Sequence, residues 1–344
     1  MINMIQKAKD QVLGLTTAAY EAAVAAGTLP AGVEVKANVE IPKDVSNGDY
    51  TTTFALAAAK AMRKNPREIA GILLDNLRLE GTYFAHAEIA GPGFLNFRLS
   101  PVWYQEVLAA VEAEGSTYGT NDALAGQKVM VEFVSANPTG PMHMGNARGG
   151  AIGDCLAAVL DWAGYQVSRE FYVNDAGNQI AKFGLSLEAR YLQLYQGEEA
   201  VPFPEDGYHG DDIRVHAENF SKEYGDRYVN APAEERRQAL VDFALPRNLA
   251  QMKADLAKYR IHYDTWFLES TLHPDAINQV LKTLADRGLT YEKEGAVWYK
   301  ATQFGDEKDE VLVRANGIPT YFAADIAYHY NKFAVRGFER CINV

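Results

Sequence analysis

Apolar positions follow two different patterns along this chain, and the clearer one lies in its second part. The segment KVMVEFV, residues 128–134, is apolar at nearly every position, which is typical of a parallel strand covered on both faces. A helical pattern follows from Asn146 to about Ala163 and ends at Gly164. QVSREFYV, residues 166–173, is the next predicted strand. A strand, a helix and a strand of these lengths predict a right-handed crossover and a parallel sheet.

The first part of the chain predicts a small α+β domain. Its first three predicted helices are residues 2–26, 53–64 and 66–79, and Pro66 lies in the first turn of the third. A fourth helix is predicted to begin after Pro101. Its predicted strands are VEVKANVEI, residues 33–41, and two short strands around AGPGFLNFRL, residues 90–99. EGSTYGTNDALAGQ, residues 114–127, is a polar, glycine-containing linker. The predicted domains are therefore residues 1–115 and 116–344.

The rest of the second domain alternates between helical and strand patterns. Residues 182–260 are predicted to be mostly helical, with a loop at VPFPEDGYHGDD, residues 201–212. Another helix, a region of short strands at residues 295–317 and the helix YFAADIAYHYNKFAVR, residues 321–336, follow. RCINV, residues 340–344, has the pattern of a core strand that opens where the chain stops. The chain is therefore expected to be a fragment whose sheet is incomplete.

Composition and charge exclude several classes of protein. Of the 344 residues 48% are hydrophobic and 23% charged, as in a soluble globular protein. No apolar run approaches the ~20 residues of a membrane span, and no charged-then-apolar leader precedes the first helix, so a cytoplasmic protein is expected. The net charge of −12 argues against broad, non-specific nucleic-acid binding but leaves room for a local basic face. Cys155 and Cys341 lie in apolar segments without metal spacing and are predicted to be reduced core residues.

A glutamate interrupts the apolar strand. Met130, Glu132 and Val134 share one face of that strand, and a buried carboxylate without a partner costs several kcal/mol. One interpretation gives Glu132 a lysine or arginine of the same protein as its partner. The other gives it a cationic ligand, because Glu132 lies near the carboxyl end of the strand, where open parallel sheets bind ligands.

The turn ANPTGPMHMGN leads from this strand into the next helix. Gly145 precedes the predicted helix, and Gly149, Gly150 and Gly153 lie in its first turns, where free N–H groups and the helix dipole attract phosphate. Small residues let a nucleotide approach the backbone, and His143 could donate to phosphate oxygens. The alternative is a structural histidine that happens to precede a helix.

These residues resemble a known family. HMGN in this context resembles the HIGH signature of class I aminoacyl-tRNA synthetases, and VEFVSANPTGPMHMGNARGGAIGD is similar to the form found in arginyl-tRNA synthetases. YVNDAGNQI, residues 172–180, TYFAADIAYH, residues 320–329, and AGPGFLNFRLS in the first domain also resemble that family. One departure is Asn146 at the fourth HIGH position, where an amide donates a hydrogen bond but carries no charge. The resemblance implies an α/β fold: an incomplete Rossmann-like parallel-sheet catalytic domain with a helical insertion, preceded by a small α+β N-terminal domain.

The resemblance also implies a reaction. Arginine would attack the α-phosphate of ATP to give arginyl-adenylate and pyrophosphate, and the arginyl group would then pass to tRNA(Arg). His143 and Asn146 would be catalytic, and His143, Gly145 and Asn146 would bind ATP with its accompanying Mg²⁺, for which no dedicated protein cage is expected. The HIGH-motif region comprises Ala136, Asn137, Pro138, Thr139, Gly140, Pro141, Met142, His143, Met144, Gly145 and Asn146.

Arginine itself would be bound by residues of two segments. A guanidinium is planar, always charged and pairs bidentately with carboxylates. The implied arginine-binding residues are Glu132, Ser135, Asn137, Tyr321 and Asp325. Tyr321 and Asp325 share a helix face at i and i+4, Ser135 and Asn137 would hold the amino-acid end, and the choice between the two acids for the guanidinium stays open. The polar residues Asp175, Gly177 and Gln179 either line the same cleft or form a plain turn.

Two weaker features suggest contacts with tRNA. Lys60, Arg63, Lys64 and Arg67 are spaced i, i+3, i+4 and i+7 and would form a basic face if Pro66 does not break it; the alternative is an ordinary solvated face. Phe94 and Asn96 share one strand face, and in the family's first domain similar residues stack on a tRNA loop base and hydrogen-bond to it. The alternative is a core phenylalanine beside a turn asparagine.

The family pattern has parts that these residues lack. Neither a KMSKS-like signature nor a helical anticodon-binding domain occurs in the 344 residues, so this chain alone is expected not to activate arginine at a useful rate, and the intact protein is expected to be a monomer. Two alternatives remain: another HIGH-type nucleotidyltransferase or synthetase, and a non-catalytic tRNA-binding truncation. The pair of acids, Glu132 and Asp325, favours a cationic amino-acid substrate over a small or apolar one.

Overall fold

The computed structural model describes residues 3–344, which divide into two units between Thr120 and Asn121. The division lies inside the polar segment at residues 114–127. Each unit has its own apolar core: residues from Ala8 to Phe97 form that of the first unit, and three clusters between Val131 and Tyr328 form those of the second.

The first unit, which ends at Thr120, packs helices against a four-stranded antiparallel sheet with the order β1-β2-β4-β3. Its helices are α1 (Met4–Ala25), α2 (Phe54–Met62), α3 (Pro66–Asn76) and α4 (Pro101–Glu114). Its strands are β1 (Val39–Glu40), β2 (Tyr50–Thr52), β3 (Phe84–Ala90) and β4 (Phe94–Leu99). All four predicted helices are present; the predicted start of the first, at Ile2, lies outside the described residues.

The predicted strand at residues 33–41 is wrong for most of its length. Only Val39 and Glu40 form strand β1, and they pair with Thr52 and Thr51 of the three-residue β2. Because β1 lies at the edge of the sheet and β2 is so short, residues 33–38 have no ladder partner and their alternating pattern does not make a strand. Strand β2 itself was not predicted.

The second unit, Asn121–Val344, is built on a parallel sheet with the order β11-β5-β6-β7. Its strands are β5 (Lys128–Glu132), β6 (Gln166–Val173), β7 (Thr265–Leu268) and β11 (Arg340–Asn343), and β8 (Thr290–Lys293), β9 (Ala296–Tyr299) and β10 (Glu310–Val313) form a small antiparallel sheet. Its helices are α5 (Met144–Trp162), α6 (Gly177–Gln196), α7 (Asp211–Tyr224), α8 (Ala233–Lys258), α9 (Asp275–Asp286) and α10 (Tyr321–Tyr330). The predicted α/β fold with a parallel sheet and a helical insertion is confirmed.

Two glycines of α5 serve packing. A Cβ atom at Gly153 would overlap the ring of Phe133, and one at Gly150 would lie 2.9 Å from Cδ1 of Ile261. Both glycines are buried against the protein interior. The interpretation that they make room for a nucleotide is therefore wrong for Gly150 and Gly153; they let α5 lie close to the end of β5. Gly149 has open space around its Cβ position.

Two further sequence expectations can be compared with the structure. None of the helices in residues 3–344 is long and apolar enough to cross a membrane. Both cysteines are free, but the prediction that both lie in the core is wrong, because Cys155 is exposed on α5 and Cys341 is only partly buried on β11. Ile152 and Val159, one turn before and one turn after Cys155, share its exposed helix face, so the apolar residues near it do not mark the core.

Candidate active site

The chain leaves β5 through a strained turn. Val134 and Ser135 both adopt left-handed backbone conformations, with φ of 69° and 41°, which is uncommon for a β-branched residue. The N–H of Ser135 donates to the carbonyl of Phe133 at 3.0 Å, and the Tyr263 hydroxyl donates to that same carbonyl at 3.0 Å. The Ser135 hydroxyl then accepts the N–H of Tyr172 at 3.1 Å and donates to Oε1 of Glu132 at 3.2 Å. These bonds orient the Glu132 side chain at the carboxyl edge of the sheet.

Glu132 faces a cleft at this edge with a volume of about 200 Å³. Strands β5 and β6, the turn after β7, helix α10 with the turn that follows it, and strand β11 all contribute to the cleft. The lining residues are Glu132, Tyr172, Asn174, Glu269, Tyr321, Asp325, Tyr328, His329, Lys332 and Asn343. The carboxyl ends of parallel strands are where open α/β sheets bind ligands.

The strand glutamate has a partner within the chain. Lys332 Nζ lies 2.6 Å from Oε2 of Glu132, and the lysine side chain has no exposed surface, while that of Glu132 is 13% exposed. The Tyr328 hydroxyl is 3.1 Å from the same oxygen. The interpretation that gave Glu132 a lysine or arginine of the protein is therefore confirmed. Glu132 also lines the cleft, so its second oxygen remains next to any ligand there.

Two further carboxylates make the cleft acidic. The Asp325 side chain is 60% exposed and lies 3.6 Å from Nδ1 of His329. Glu269 is nearly buried; its Oε2 accepts the Tyr172 hydroxyl at 2.8 Å, and its Oε1 lies 3.6 Å from His273. Counting only carboxylates and ammonium groups, the lining holds Glu132, Asp325 and Glu269 against Lys332, so the acids exceed the ammonium groups by two. Such a cleft favours a cationic ligand.

The phenol groups of Tyr172 and Tyr328 in the cleft stay protonated. Burial raises the pKa of Tyr172, and the neighbouring Glu269 carboxylate raises it further. Burial likewise raises the pKa of Tyr328, whose hydroxyl lies beside Glu132 and Glu170. Both hydroxyls are therefore hydrogen-bond donors to carboxylates at neutral pH, and neither adds charge to the cleft.

The structure brings together some of the predicted arginine-binding residues. Glu132, Tyr321 and Asp325 line the cleft. Ser135 does not line it, but its hydroxyl donates to Glu132, which does. Asn137 is exposed and is absent from the cleft lining. Asp175 is also absent from the lining; its carboxylate instead accepts the N–H and hydroxyl of Ser270, in the turn after β7, at 2.8 and 2.7 Å.

Sequence analysis missed several residues of the cleft. Tyr172 and Asn174 lie in the segment YVNDAGNQI but were not singled out. Glu269 immediately follows β7, so the rule that ligands meet the carboxyl ends of parallel strands could have found it. Lys332 follows Asp325 by seven residues, which is two helical turns and hence nearly the same face.

The predicted nucleotide-binding residues cap helix α5. His143 is the N-cap; its Nδ1 accepts the N–H of Gly145 at 3.1 Å, and its own N–H donates to Oδ1 of Asn146 at 2.9 Å. This capping box uses one acceptor on each side chain and leaves His143 Nε2 and the Asn146 amide nitrogen as outward groups. The preceding loop is held by Asn248, whose amide donates to the carbonyl of Pro138 at 2.9 Å. A helix start with added donors can bind phosphate. Among the described residues, no group of three or more His, Cys, Asp or Glu is arranged to hold a metal ion.

The basic run of the first unit does not form one helical face. Arg63 ends α2 with a φ of 49°, and α3 begins only at Pro66. Lys64 forms an ion pair with Glu68 at 2.7 Å, and the guanidinium of Arg67 donates to the carbonyl of Gly91 at 2.8 Å. The four basic residues therefore lie on two helices and the turn between them, and the single basic face predicted from their spacing is wrong. Phe94 is partly buried and Asn96 is 3% exposed on β4.

Comparisons with known proteins agree on one family. A family model for the arginyl-tRNA synthetase N-terminal domain matches residues 15–99, and the class I (R) tRNA synthetase catalytic domain matches residues 108–344. The arginine–tRNA ligases of Acetivibrio thermocellus and Ruminiclostridium cellulolyticum are each 52% identical over 345 residues, covering 100% of this chain and 61% of the relative. A crystal structure described as an arginyl-tRNA synthetase from Campylobacter jejuni matches with a TM-score of 0.64 and 36% identity, over 71% of this chain and 53% of that one. The chain spans about 61% of the length of the curated relatives it matches, and it belongs to the class I arginyl-tRNA synthetase family.

Proposed function

We propose that the protein to which these 344 residues belong activates L-arginine with ATP and transfers it to tRNA(Arg) in the cytoplasm. The acidic cleft carries this proposal, because its three carboxylates and single buried ammonium leave a net charge suited to a guanidinium. The carboxylate of arginine attacks the α-phosphate of ATP, pyrophosphate leaves, and the arginyl group then passes from the adenylate to the terminal ribose of the tRNA. The intact protein acts as a monomer.

Asp325 is the acid that we propose for the bidentate contact with the guanidinium. Oε2 of Glu132 is already occupied by Lys332 and Tyr328, whereas the Asp325 carboxylate is more than half exposed, with His329 3.6 Å away. Tyr321, one turn before Asp325 and 80% exposed, can lie against the planar group. Ser135 and the exposed Asn137, both outside the cleft lining, hold the amino-acid end where it leaves the cleft, and Glu132 offers Oε1, which also accepts the Ser135 hydroxyl, to the ligand.

ATP binds at the start of α5 in this proposal. Nε2 of His143 and the side-chain amide of Asn146 donate to phosphate oxygens, Gly145 lets the nucleotide approach the backbone, and Mg²⁺ enters with the nucleotide. Bound Mg²⁺ neutralises phosphate charge. The protein positions the reactants and stabilises charge, without a covalent intermediate. The first domain, residues 1–115, contacts tRNA, with the partly buried Phe94 at a loop base, whereas Asn96 is 3% exposed on β4 and is therefore not proposed as a contact. Since Lys60, Arg63, Lys64 and Arg67 do not share a face, any phosphate contacts they make are separate ones.

Calorimetric titration with L-arginine and L-citrulline tests the arginine site. Citrulline keeps the shape of arginine and loses its charge, so arginine should bind and citrulline should not. Asp325→Asn should weaken arginine binding about tenfold to a hundredfold, because a hydrogen bond to a charged group contributes roughly 1.5–3 kcal/mol. Asp286→Asn, which removes an exposed acid of α9 paired with Lys282, is the matched control and should leave binding unchanged. Equal affinity for arginine and citrulline, or no effect of Asp325→Asn, would contradict the proposal.

Titration with ATP tests the role of His143. Asparagine is also a favourable N-cap residue, so His143→Asn should keep α5 capped and leave thermal stability nearly unchanged. It removes the outward Nε2, and ATP affinity should therefore fall roughly tenfold, as expected for the loss of one hydrogen bond to a phosphate. Unchanged ATP affinity would remove His143 from the nucleotide site, while arginine binding serves as the control for an intact cleft.

A further inference from the structure

The inner end of the cleft already contains an ammonium group. Lys332 Nζ lies 2.6 Å from Oε2 of Glu132 and 4.0 Å from the centre of the Tyr328 ring, and its side chain has no exposed surface although it borders the cavity. A carboxylate and an aromatic face are the two groups that recognise a primary ammonium ion in a desolvated site. This arrangement is therefore an ammonium-binding site, occupied by the chain's own lysine.

A charge-balanced network holds that site in place. The Tyr328 hydroxyl lies 2.5 Å from Oε1 of the fully buried Glu170, and both oxygens of Glu170 accept from the Arg336 guanidinium. The charges of Glu132 and Glu170 are thus balanced by those of Lys332 and Arg336. Lys332 lies in the turn at residues 331–335 that follows α10, and Arg336 comes directly after that turn. The negative charge left for a ligand comes from Asp325 and Glu269, which lie on two different elements and suit a group that carries several donors in one plane.

We propose that Lys332 is a specificity-determining residue: by filling the buried ammonium site with its own ammonium, it excludes lysine and ornithine from a cleft that accepts arginine. The inference rests on the proposed function, because it concerns discrimination within the arginine site. An ammonium ligand is a compact charge that needs a small, closed anionic site, and the one built by Glu132 and Tyr328 is taken. A guanidinium can instead pair with the outer acids through its planar fork.

Titration of the wild-type chain and of Lys332→Ala with L-arginine, L-lysine and L-citrulline tests this role. The variant vacates the site, so lysine affinity should rise relative to arginine affinity by roughly tenfold or more, as expected for a desolvated ammonium on a carboxylate and an aromatic face. The double variant Glu132→Gln with Lys332→Ala removes the acid of the site and should abolish the gain. Equal changes in lysine and arginine affinity, or a gain that survives in the double variant, would overturn the proposal.

Thermal unfolding gives a second measurement, because removing Lys332 leaves Glu132 without its counter-ion and weakens the fold. Methylammonium chloride should raise the Tm of Lys332→Ala above that in equal sodium chloride, and should do so much less for the wild type. No such rise, or a variant that stays unfolded in methylammonium, would overturn the proposal. Failure of the proposed function itself gives a different result, namely equal binding of arginine and citrulline to the wild-type chain.

Discussion

Replacing Arg336 by methionine is expected to lower the free energy of unfolding of the second unit by about 3–5 kcal/mol, because it leaves a buried carboxylate without its counter-ion. Glu170 has no exposed side-chain surface, and the Arg336 guanidinium pairs with both of its oxygens, one at 2.8 Å. Methionine fills much of the volume of the arginine stem but cannot neutralise the charge. Urea unfolding followed by tryptophan fluorescence measures the loss, since Trp162, Trp266 and Trp298 all lie in this unit.

Two companion variants test whether the lost stability comes from the buried charge of Glu170 or from the removal of an arginine as such. Arg214→Met breaks an ion pair with Glu198 in which both side chains are about half exposed or more, and it should change stability by less than about 1 kcal/mol. Adding Glu170→Gln to Arg336→Met removes the unpaired charge and should recover a large part of the loss. A loss for Arg336→Met no greater than that for Arg214→Met would show that Glu170 does not depend on its partner.

Gly153→Ala should destabilise the second unit by about 1–3 kcal/mol, because the added methyl group overpacks a filled core. The new Cβ would overlap the ring of Phe133, which is fully buried and stacked on Tyr263 at a centroid distance of 4.5 Å. The helix must then move away from the end of β5, where the residues of the cleft are positioned. The same urea experiment measures the effect, and arginine titration shows whether the cleft is disturbed as well.

Gly149→Ala is the matched control on the same helix. Its Cβ position meets nothing within 4 Å, so the substitution should stabilise the helix by about 0.5–1 kcal/mol through the lower flexibility of the unfolded chain. Gly153→Ala and Gly149→Ala are thus expected to change the free energy of unfolding in opposite directions. If both had the same sign, the close approach of α5 to Phe133 would not be the reason for glycine at position 153.

Local sequence patterns determined the β5–α5–β6 unit of the parallel sheet, whereas strand β7 was not predicted. QVSREFYV, residues 166–173, forms strand β6 over that same range, and the helix predicted from Asn146 begins at Met144. Apolar runs, helical periodicity and capping residues act between neighbours in the chain, so the sequence is sufficient to find them. The strand predicted at residues 33–41 was mostly wrong, because a strand also needs a neighbouring strand to pair with, and the periodicity of its own residues does not show whether one is there.

The sequence by itself also determined that Glu132, an acid in a buried strand, required a cation, and that a helix begins at HMGN after the carboxyl end of that strand. It did not determine which cation. Lys332 lies 200 residues away along the chain, and only the pairing of β11 beside β5, with the turn after α10 above them, brings its ammonium to Glu132. Glu269, Tyr172 and Asp325 likewise meet in one cleft because parallel strands carry their carboxyl ends to the same edge of the sheet. The need for a cation follows from Glu132 and its burial alone. Which cation pairs with it depends on contacts between distant segments, and those contacts exist only in the folded chain.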